Sequence, residues 1–344
     1  MTISKKKRCC ILHLQQKEMR QPEIFIVGAP RSGTTLLRNI LNRHPKLAIC
    51  GETQFFHHVY ARRRAFGDLL NTKNRRCLVA KYLPTDRIRR LGMDSAGLSE
   101  RLMSEGTSYQ AFFSALLAYY AQSQGKSRFG EKTPQHAQYT EILCEWYPGA
   151  KILHMLRDPR DVVESLQRMA WASNSILTNA RVWLQNNLAA VRSSSRPGYL
   201  LVRYETLVEQ PERELTRICA HLGEDYSPLM LTLNEERTKF SSWSKRSRLP
   251  VTTERLGKWR EELDSDSVRL IEWVLGDHMA AFGYPRTTAS PSPAAIARSL
   301  GLAAWDFFQQ RVSHFPAGLY RLIQPRNLTK EEFWVYRGLR NDNP

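Results

Sequence analysis

Residues 23–43 read EIFIVGAPRSGTTLLRNILNR, a short apolar run that enters a glycine-bearing loop and leaves it as an amphipathic stretch. Ile24 to Val27 carry the β-branched and aromatic side chains of a strand buried on both faces. Gly28 and Gly33 admit a tight turn, and Thr34 and Thr35 open a helix over 34–43. The first amides of such a helix have no partner within it, so they point at whatever anion sits in the loop. The spacing approaches the G-x-x-x-x-G-K-[ST] phosphate cradle: both glycines are in place and Thr35 fills the hydroxyl position, but Thr34 stands where the lysine belongs.

That substitution separates chemistries. A nucleoside triphosphate calls for a lysine over its β- and γ-phosphates and a Mg²⁺ held by the loop hydroxyl and a second carboxylate. Here the only cation in the loop is Arg31, placed before the second glycine. The loop therefore suits a short 5′-phosphate whose transferred group carries less charge than a γ-phosphate.

From Pro30 to Thr35 the chain reads P-R-S-G-T-T, and with these residues it resembles the sulfotransferase family, whose phosphosulfate-binding loop reads P-[RK]-S-G-T-T. The resemblance is nearest to the tyrosylprotein and glycan branches and to bacterial-type sulfotransferases, and spans roughly residues 22–284. It implies 3′-phosphoadenosine 5′-phosphosulfate (PAPS) as sulfuryl donor, no metal, and Arg31, Ser32, Gly33, Thr34 and Thr35 as donor-binding residues. The implied fold is α/β and P-loop-like, three layers with a central parallel sheet and helices on both faces.

Five further segments carry chemistry. In KILHMLRDPRDVVESLQRM (151–169) a strand ends at Leu156, Arg157 sits at its tip, and a helix from Pro159 carries Ser165. Ligands in open α/β sheets bind at strand carboxyl ends, where a guanidinium fork and a hydroxyl suit a second anion. The resemblance makes Arg157 and Ser165 the 3′-phosphate ligands, while locally Asp158 and Asp161 read as helix caps. In CGETQFFHH (50–58) Glu52 lies just past a strand and is placed to act as a base toward an acceptor hydroxyl. It matches the catalytic glutamate of the peptide and glycan branches, and His57 or His58 stands as the alternative base, since small-molecule sulfotransferases use histidine. In FGEKTPQH (129–136) Lys132 matches the lysine that reaches the bridging oxygen of the leaving phosphate. Tyr204, in VRYETLVEQP, is implied to border the nucleotide, and Lys258, in RLGKWREEL, to lay a cation on the 3′-phosphate.

The wider chain has 344 residues with 42% hydrophobic and 24% charged content, an ordinary globular balance, but its net charge is +18. Basic runs at 5–8, 62–64, 75–76, 87–90 and 245–248 predict an anionic partner, here the donor nucleotide and a hydroxyl acceptor that is itself anionic. The acceptor loops are expected at 55–104 and 239–255, and nucleic acid is not expected as a partner. No apolar stretch approaches the roughly 18 to 20 residues of a membrane span, and the N-terminus lacks a signal-peptide core, which predicts a soluble cytoplasmic protein. Six scattered cysteines without CxxC spacing argue against a disulfide framework and a zinc site, and Cys9-Cys10 beside the first basic run is the one lipidation candidate.

Strands are expected at 24–27, 47–50, 151–156 and 199–203, and helices at 34–43, 108–122, 134–146, 159–169, 177–191, 211–222 and 264–281. The organisation expected is a mobile basic leader over 1–20, a sulfotransferase domain over 21–286, and a linker with an amphipathic helical tail over 287–344. Ile296, Leu300, Ala304, Phe307 and Phe308 share one face of that tail. The face is expected to pack on the domain, the alternatives being a second subunit of a homodimer or a membrane surface, which the basic leader would also favour. The rival readings are a P-loop nucleoside kinase, disfavoured by Thr34, and a non-enzymatic nucleotide-binding protein attached to a membrane.

Overall fold

The apolar run IFIVG forms β1 (Ile24–Gly28), with every residue buried. The computed structural model describes residues 21–232, 251–287 and 290–312 of the chain. β2 (Leu47–Cys50), β3 (Arg128–Lys132), β4 (Lys151–Leu156) and β5 (Tyr199–Arg203) join β1 in one parallel sheet of order β2-β3-β1-β4-β5. Gly28 pairs in register with Met155, Ile26 with Lys132, and Cys50 with Glu131, so the carboxyl ends of β1, β2, β3 and β4 finish along one edge.

Alternation along the strands sorts their side chains between two cores. Phe25, Val27, Ala48 and Cys50 face one layer, where Phe55, Phe56, Phe112, Phe113 and Trp146 pack. Phe55 stacks on Phe113 at 4.7 Å between ring centres, and Phe56 lies 5.2 Å from Trp146. Ile24, Ile26, Leu47, Ile49 and Met155 face the opposite layer, built from Leu37, Ile40, Leu41, Leu215 and Ile218. Burying each such side chain stabilises the fold by about 1.5–3 kcal/mol, so the sheet is fixed by its coverage rather than by strand propensity. The result is the α/β fold with a covered parallel sheet expected from the sequence.

Several local readings need correction. The stretch 55–104, expected as acceptor loops, is largely helical, with Thr72–Tyr82 and Ser95–Glu105 its longest helices. β3 was not among the expected strands, because RFGEK offers neither a hydrophobic run nor alternation. A Cβ on Gly130 would lie 2.3 Å from the Ile24 carbonyl oxygen, so glycine is what lets β3 sit between β1 and β2. The single helix expected over 134–146 is a 3₁₀ segment, Pro134–Tyr139, followed by the α-helix Thr140–Trp146. The closing helix expected over 264–281 is divided by Gly276, at φ 51°, into Ser265–Leu275 and Asp277–Ala281.

The tail forms the helix Pro293–Val312, but its buried stripe differs from the one expected. Ala295 and Ser299 are buried, Ala295 beside Leu177 and Leu270 and Ser299 through its carbonyl, which accepts from Ser175 Oγ at 2.8 Å. Asp306 accepts from the Ser173 hydroxyl and, at 3.1 Å, from the Asn174 amide. Leu300, Phe307 and Phe308 remain more than half exposed, because the helix docks through Ala295, Ser299 and Asp306, and of the expected face Ile296 packs, partly buried, against the cluster of Leu177, Leu270 and Ala295. The leader, Cys9-Cys10, the run 245–248, most of the second expected acceptor loop and the aromatic residues from Phe315 onward lie outside the described residues. Among the described residues, no helix is long and apolar enough to cross a membrane.

Beneath the sheet edge, His154 of β4 is fully buried, with Nδ1 2.6 Å from the Tyr199 hydroxyl and Nε2 2.8 Å from Asn187 Oδ1. Asn187 gives its Nδ2 to the Trp183 carbonyl, so its Oδ1 accepts and His154 carries its proton on Nε2. Burial holds the imidazole down to about 4, against an ordinary 6.5. Below pH 6.5 the unfolded chain takes up this proton and the folded chain does not, so stability falls as the pH drops toward 4, by about 1.4 kcal/mol per pH unit. Urea unfolding at pH 6.5 and 5 should show the wild type losing about 2 kcal/mol more than His154→Gln across that interval.

Candidate active site at the strand tips

The turn after β1 is built from residues whose backbones few side chains permit. Gly28 has φ 146°, and a Cβ there would meet the Met155 carbonyl oxygen at 2.3 Å. Gly33 has φ 93°, and its Cβ would lie 2.4 Å from the Tyr204 ring. Arg31 adopts φ 71° without being glycine, a conformation that costs about 1–2 kcal/mol and gathers at ligand sites. The helix Thr34–Leu41 begins on Gly33 with no side-chain cap, which leaves its leading amides directed into the turn. Ser32 is fully buried there, and its hydroxyl has no partner among the described residues. A turn crowded against any Cβ, with unclaimed amides and a buried unclaimed hydroxyl, fits a phosphate group.

Arg157 joins this loop to the rest of the edge. It is 6% exposed, donates Nη1 to the Arg31 carbonyl at 3.3 Å, and lies 4.3 Å above the centre of the Tyr204 ring. Its own carbonyl accepts from Trp183 Nε1 at 2.9 Å, which fixes the strand tip. Arg31 Nε donates to Ser165 Oγ at 3.0 Å, so Arg31, from the turn after β1, meets both Arg157 and Ser165 of the 151–169 segment. Asp158 caps the Pro159–Gln167 helix by accepting from the Arg160 amide at 2.9 Å. Asp161 is engaged elsewhere, with the amides of Gly257 and Trp259.

On the other side of the loop, Lys132 leaves the end of β3 almost buried and places Nζ 2.5 Å from Glu52 Oε1 and 3.1 Å from Thr35 Oγ1. Glu52 stays 42% exposed. Next to this pair lies a carboxylate that the sequence reading missed. Glu131 is 1% exposed; its Oε1 accepts from the Thr53 amide at 3.1 Å, the Thr53 hydroxyl at 2.9 Å and the Thr133 hydroxyl, and its Oε2 lies 3.1 Å from His136 Nδ1. Burial alone would raise its pKa, but His136 and these donors outweigh that and hold it below the usual carboxylate range. Glu131 thus pins the residues on either side of Glu52 and Lys132. Glu131→Gln keeps the volume but faces two hydroxyls, an amide and the imidazole with one acceptor and one misplaced NH₂, so thermal unfolding should show a loss of about 1–3 kcal/mol.

The two alternative bases sit farther into the aromatic layer. His57 stacks 6.0 Å from His136 and meets Tyr139 edge-on at 5.0 Å. Burial, with His136, lowers His57 to about 4; burial, with Arg87 and Arg62, lowers His58 to about 3. Lys258 projects outward to Glu261, 2.6 Å away, rather than toward Arg157.

Comparison with known proteins places the chain in a family. A profile of the sulfotransferase family matches residues 22–228. The chain belongs to the sulfotransferase family. It is 26% identical over 302 residues to protein-tyrosine sulfotransferase 2 of Gallus gallus, covering 81% of this chain and 75% of that protein. It is 25% identical over 335 residues to the nodulation protein NoeE of Sinorhizobium fredii, covering 86% and 76%. Among solved structures, the sulfotransferase domain of the Synechococcus PCC 7002 olefin synthase superimposes with a TM-score of 0.53 at 25% identity, covering 77% of this chain and 95% of that domain. In this sulfotransferase the turn at 30–35 follows β1, which pairs with β4, the strand that ends at Leu156 just before Arg157.

Proposed function

We propose that this sulfotransferase moves the sulfuryl group of PAPS onto a hydroxyl of an anionic acceptor, with Glu52 as base and Lys132 covering the charge of the departing nucleotide. PAPS supplies an activated phosphosulfate bond. The observation that carries the reading is the continuous contact from Glu52 through Lys132 to Thr35, which joins a carboxylate, an ammonium and the cradle hydroxyl in one chain beside the turn.

The roles follow from the contacts. The amides of the Thr34–Leu41 helix, with Ser32, Gly33, Thr34 and Thr35, hold the 5′-phosphate. Arg157 and Ser165 hold the 3′-phosphate, and Arg31, through its contact with Ser165, belongs to the same end. Tyr204 supports the Arg157 guanidinium from below and borders the nucleotide. Lys258, on the exterior, would reach the 3′-phosphate only by leaving Glu261. Glu52 takes the acceptor proton, being the exposed member of its pair, while Lys132 stays anchored to Thr35 and offsets negative charge as it develops on the leaving group.

The acceptor side is basic. Arg62 and Arg87 both bear on His58, and the Tyr82 hydroxyl donates to the Thr53 carbonyl, one residue from Glu52, at 2.9 Å. This favours an acidic or already sulfated glycan, peptide or lipid head group. Radiolabelled PAPS offered with sugars, peptides, lipids and phenols should label a hydroxyl acceptor. Phosphate transfer from labelled ATP, with no sulfuryl transfer, would move the reading to a kinase.

A further inference from the structure

Asp161 is a first-turn helix residue that does not serve its own helix. It is 1% exposed, and the N-cap position is already filled by Asp158. Its Oδ2 accepts from the Gly257 amide at 3.0 Å and its Oδ1 from the Trp259 amide at 3.1 Å, so one carboxylate grips both sides of Lys258 across 96 and 98 residues of chain. Oδ2 also lies 3.4 Å from Arg157 Nη2, and that same nitrogen donates to the Arg255 carbonyl at 2.5 Å.

The segment 255–259 is thus a strap fastened at three backbone points. Its far end is wedged by Trp259, whose ring lies 4.2 Å from the Arg160 guanidinium and 4.4 Å from that of Arg260. Its bend is at Gly257, with φ 64°, where a Cβ would lie 2.4 Å from Arg260 Nη1. Two of the three fastenings use Asp161, and the third uses the arginine that Asp161 touches. Charge-assisted bonds to a buried carboxylate are the strong kind, and releasing them leaves an unpaired buried anion.

We infer that Asp161 is a positioning residue: it latches the 255–259 strap onto Arg157 and so orients the guanidinium that receives the 3′-phosphate. The inference rests on the donor reading above. It predicts a selective effect, since a displaced strap frees Arg157 to turn but leaves in place the helix amides and Ser32 of the turn after β1, which Arg157 meets only at the Arg31 carbonyl. Binding of a nucleotide with a 3′-phosphate should suffer, and binding of one without it should not.

The test is calorimetry on the full chain with adenosine 3′,5′-bisphosphate (PAP) and with AMP. Asp161→Asn keeps the size but gives up the charge and one amide acceptor, and should weaken PAP binding by about tenfold or more while changing AMP binding by less than about threefold. Gly257→Ala, which alters neither Asp161 nor Arg157, should give the same selective loss, and the double variant should be no worse than the worse single one. Where Asp161→Asn yields no folded protein, Gly257→Ala decides alone. Equal weakening toward both nucleotides, unchanged PAP binding, or additive losses would overturn the latch while leaving the donor reading in place. A wild type that binds PAP no better than AMP would overturn both.

Discussion

Glu52→Gln is expected to lower turnover by about 10²- to 10⁴-fold with little change in PAP affinity, the range lost with a positioned acid or base. Glutamine retains the length and an oxygen for Lys132 but cannot take a proton. Lys132 remains bonded to Thr35, and Glu52 is 42% exposed, so the substitution spares both the fold and the cradle. The neighbouring histidines compete poorly: burial and adjacent charges hold His57 at about 4 and His58 at about 3. At those values neither is a stronger base than an ordinary carboxylate, and His57 is in addition occupied in the aromatic layer with His136 and Tyr139. His57→Ala and His58→Ala should each cost less than about tenfold, apart from any loss of packing. Steady-state rates with labelled PAPS and a responsive acceptor decide the matter. An inactive histidine variant beside a nearly normal Glu52→Gln would transfer the base to that histidine.

What the sequence disclosed about this site was what is contiguous. β1, its turn and the following helix sit in one run of 21 residues, and Arg157 and Ser165 lie in another, so local pattern and motif were enough to name them. β3 escaped because its stability is non-local. Arg128 is buried against the Leu222 carbonyl at 2.6 Å and Glu224 at 3.1 Å, and Glu131 finds two of its donors on Thr53, 78 residues away. Charges that would mark an exposed loop in a local window become strand residues once such partners close around them. Asp161 escaped for the same reason, since a carboxylate in a first helical turn already has a sufficient local explanation. The tail shows the converse failure. Periodicity predicted a helix in the tail, and Pro293–Val312 forms one, but which face it buries depends on Ser175, Leu177 and Leu270, and no spacing within the tail encodes them.

Arg157→Ala is expected to remove most of the preference for PAP over AMP, a loss of about 1.5–3 kcal/mol or roughly ten- to a hundredfold in affinity. At that end of the site the guanidinium meets the Arg31 and Arg255 carbonyls, the Asp161 carboxylate and the Tyr204 ring. Its Nε is buried and has no partner among the described residues, so one donor of the fork is available to a phosphate oxygen without breaking a contact. Arg157→Lys should recover only part of the preference, because an ammonium keeps the charge but cannot reproduce the fork or the stacking on Tyr204. Calorimetry with PAP, AMP and ATP plus Mg²⁺ separates the outcomes. A wild type that binds ATP with Mg²⁺ more tightly than PAP would return the loop to the kinase reading, whereas AMP affinity falling as far as PAP affinity in Arg157→Ala would show that the arginine supports the turn after β1 rather than the 3′-phosphate.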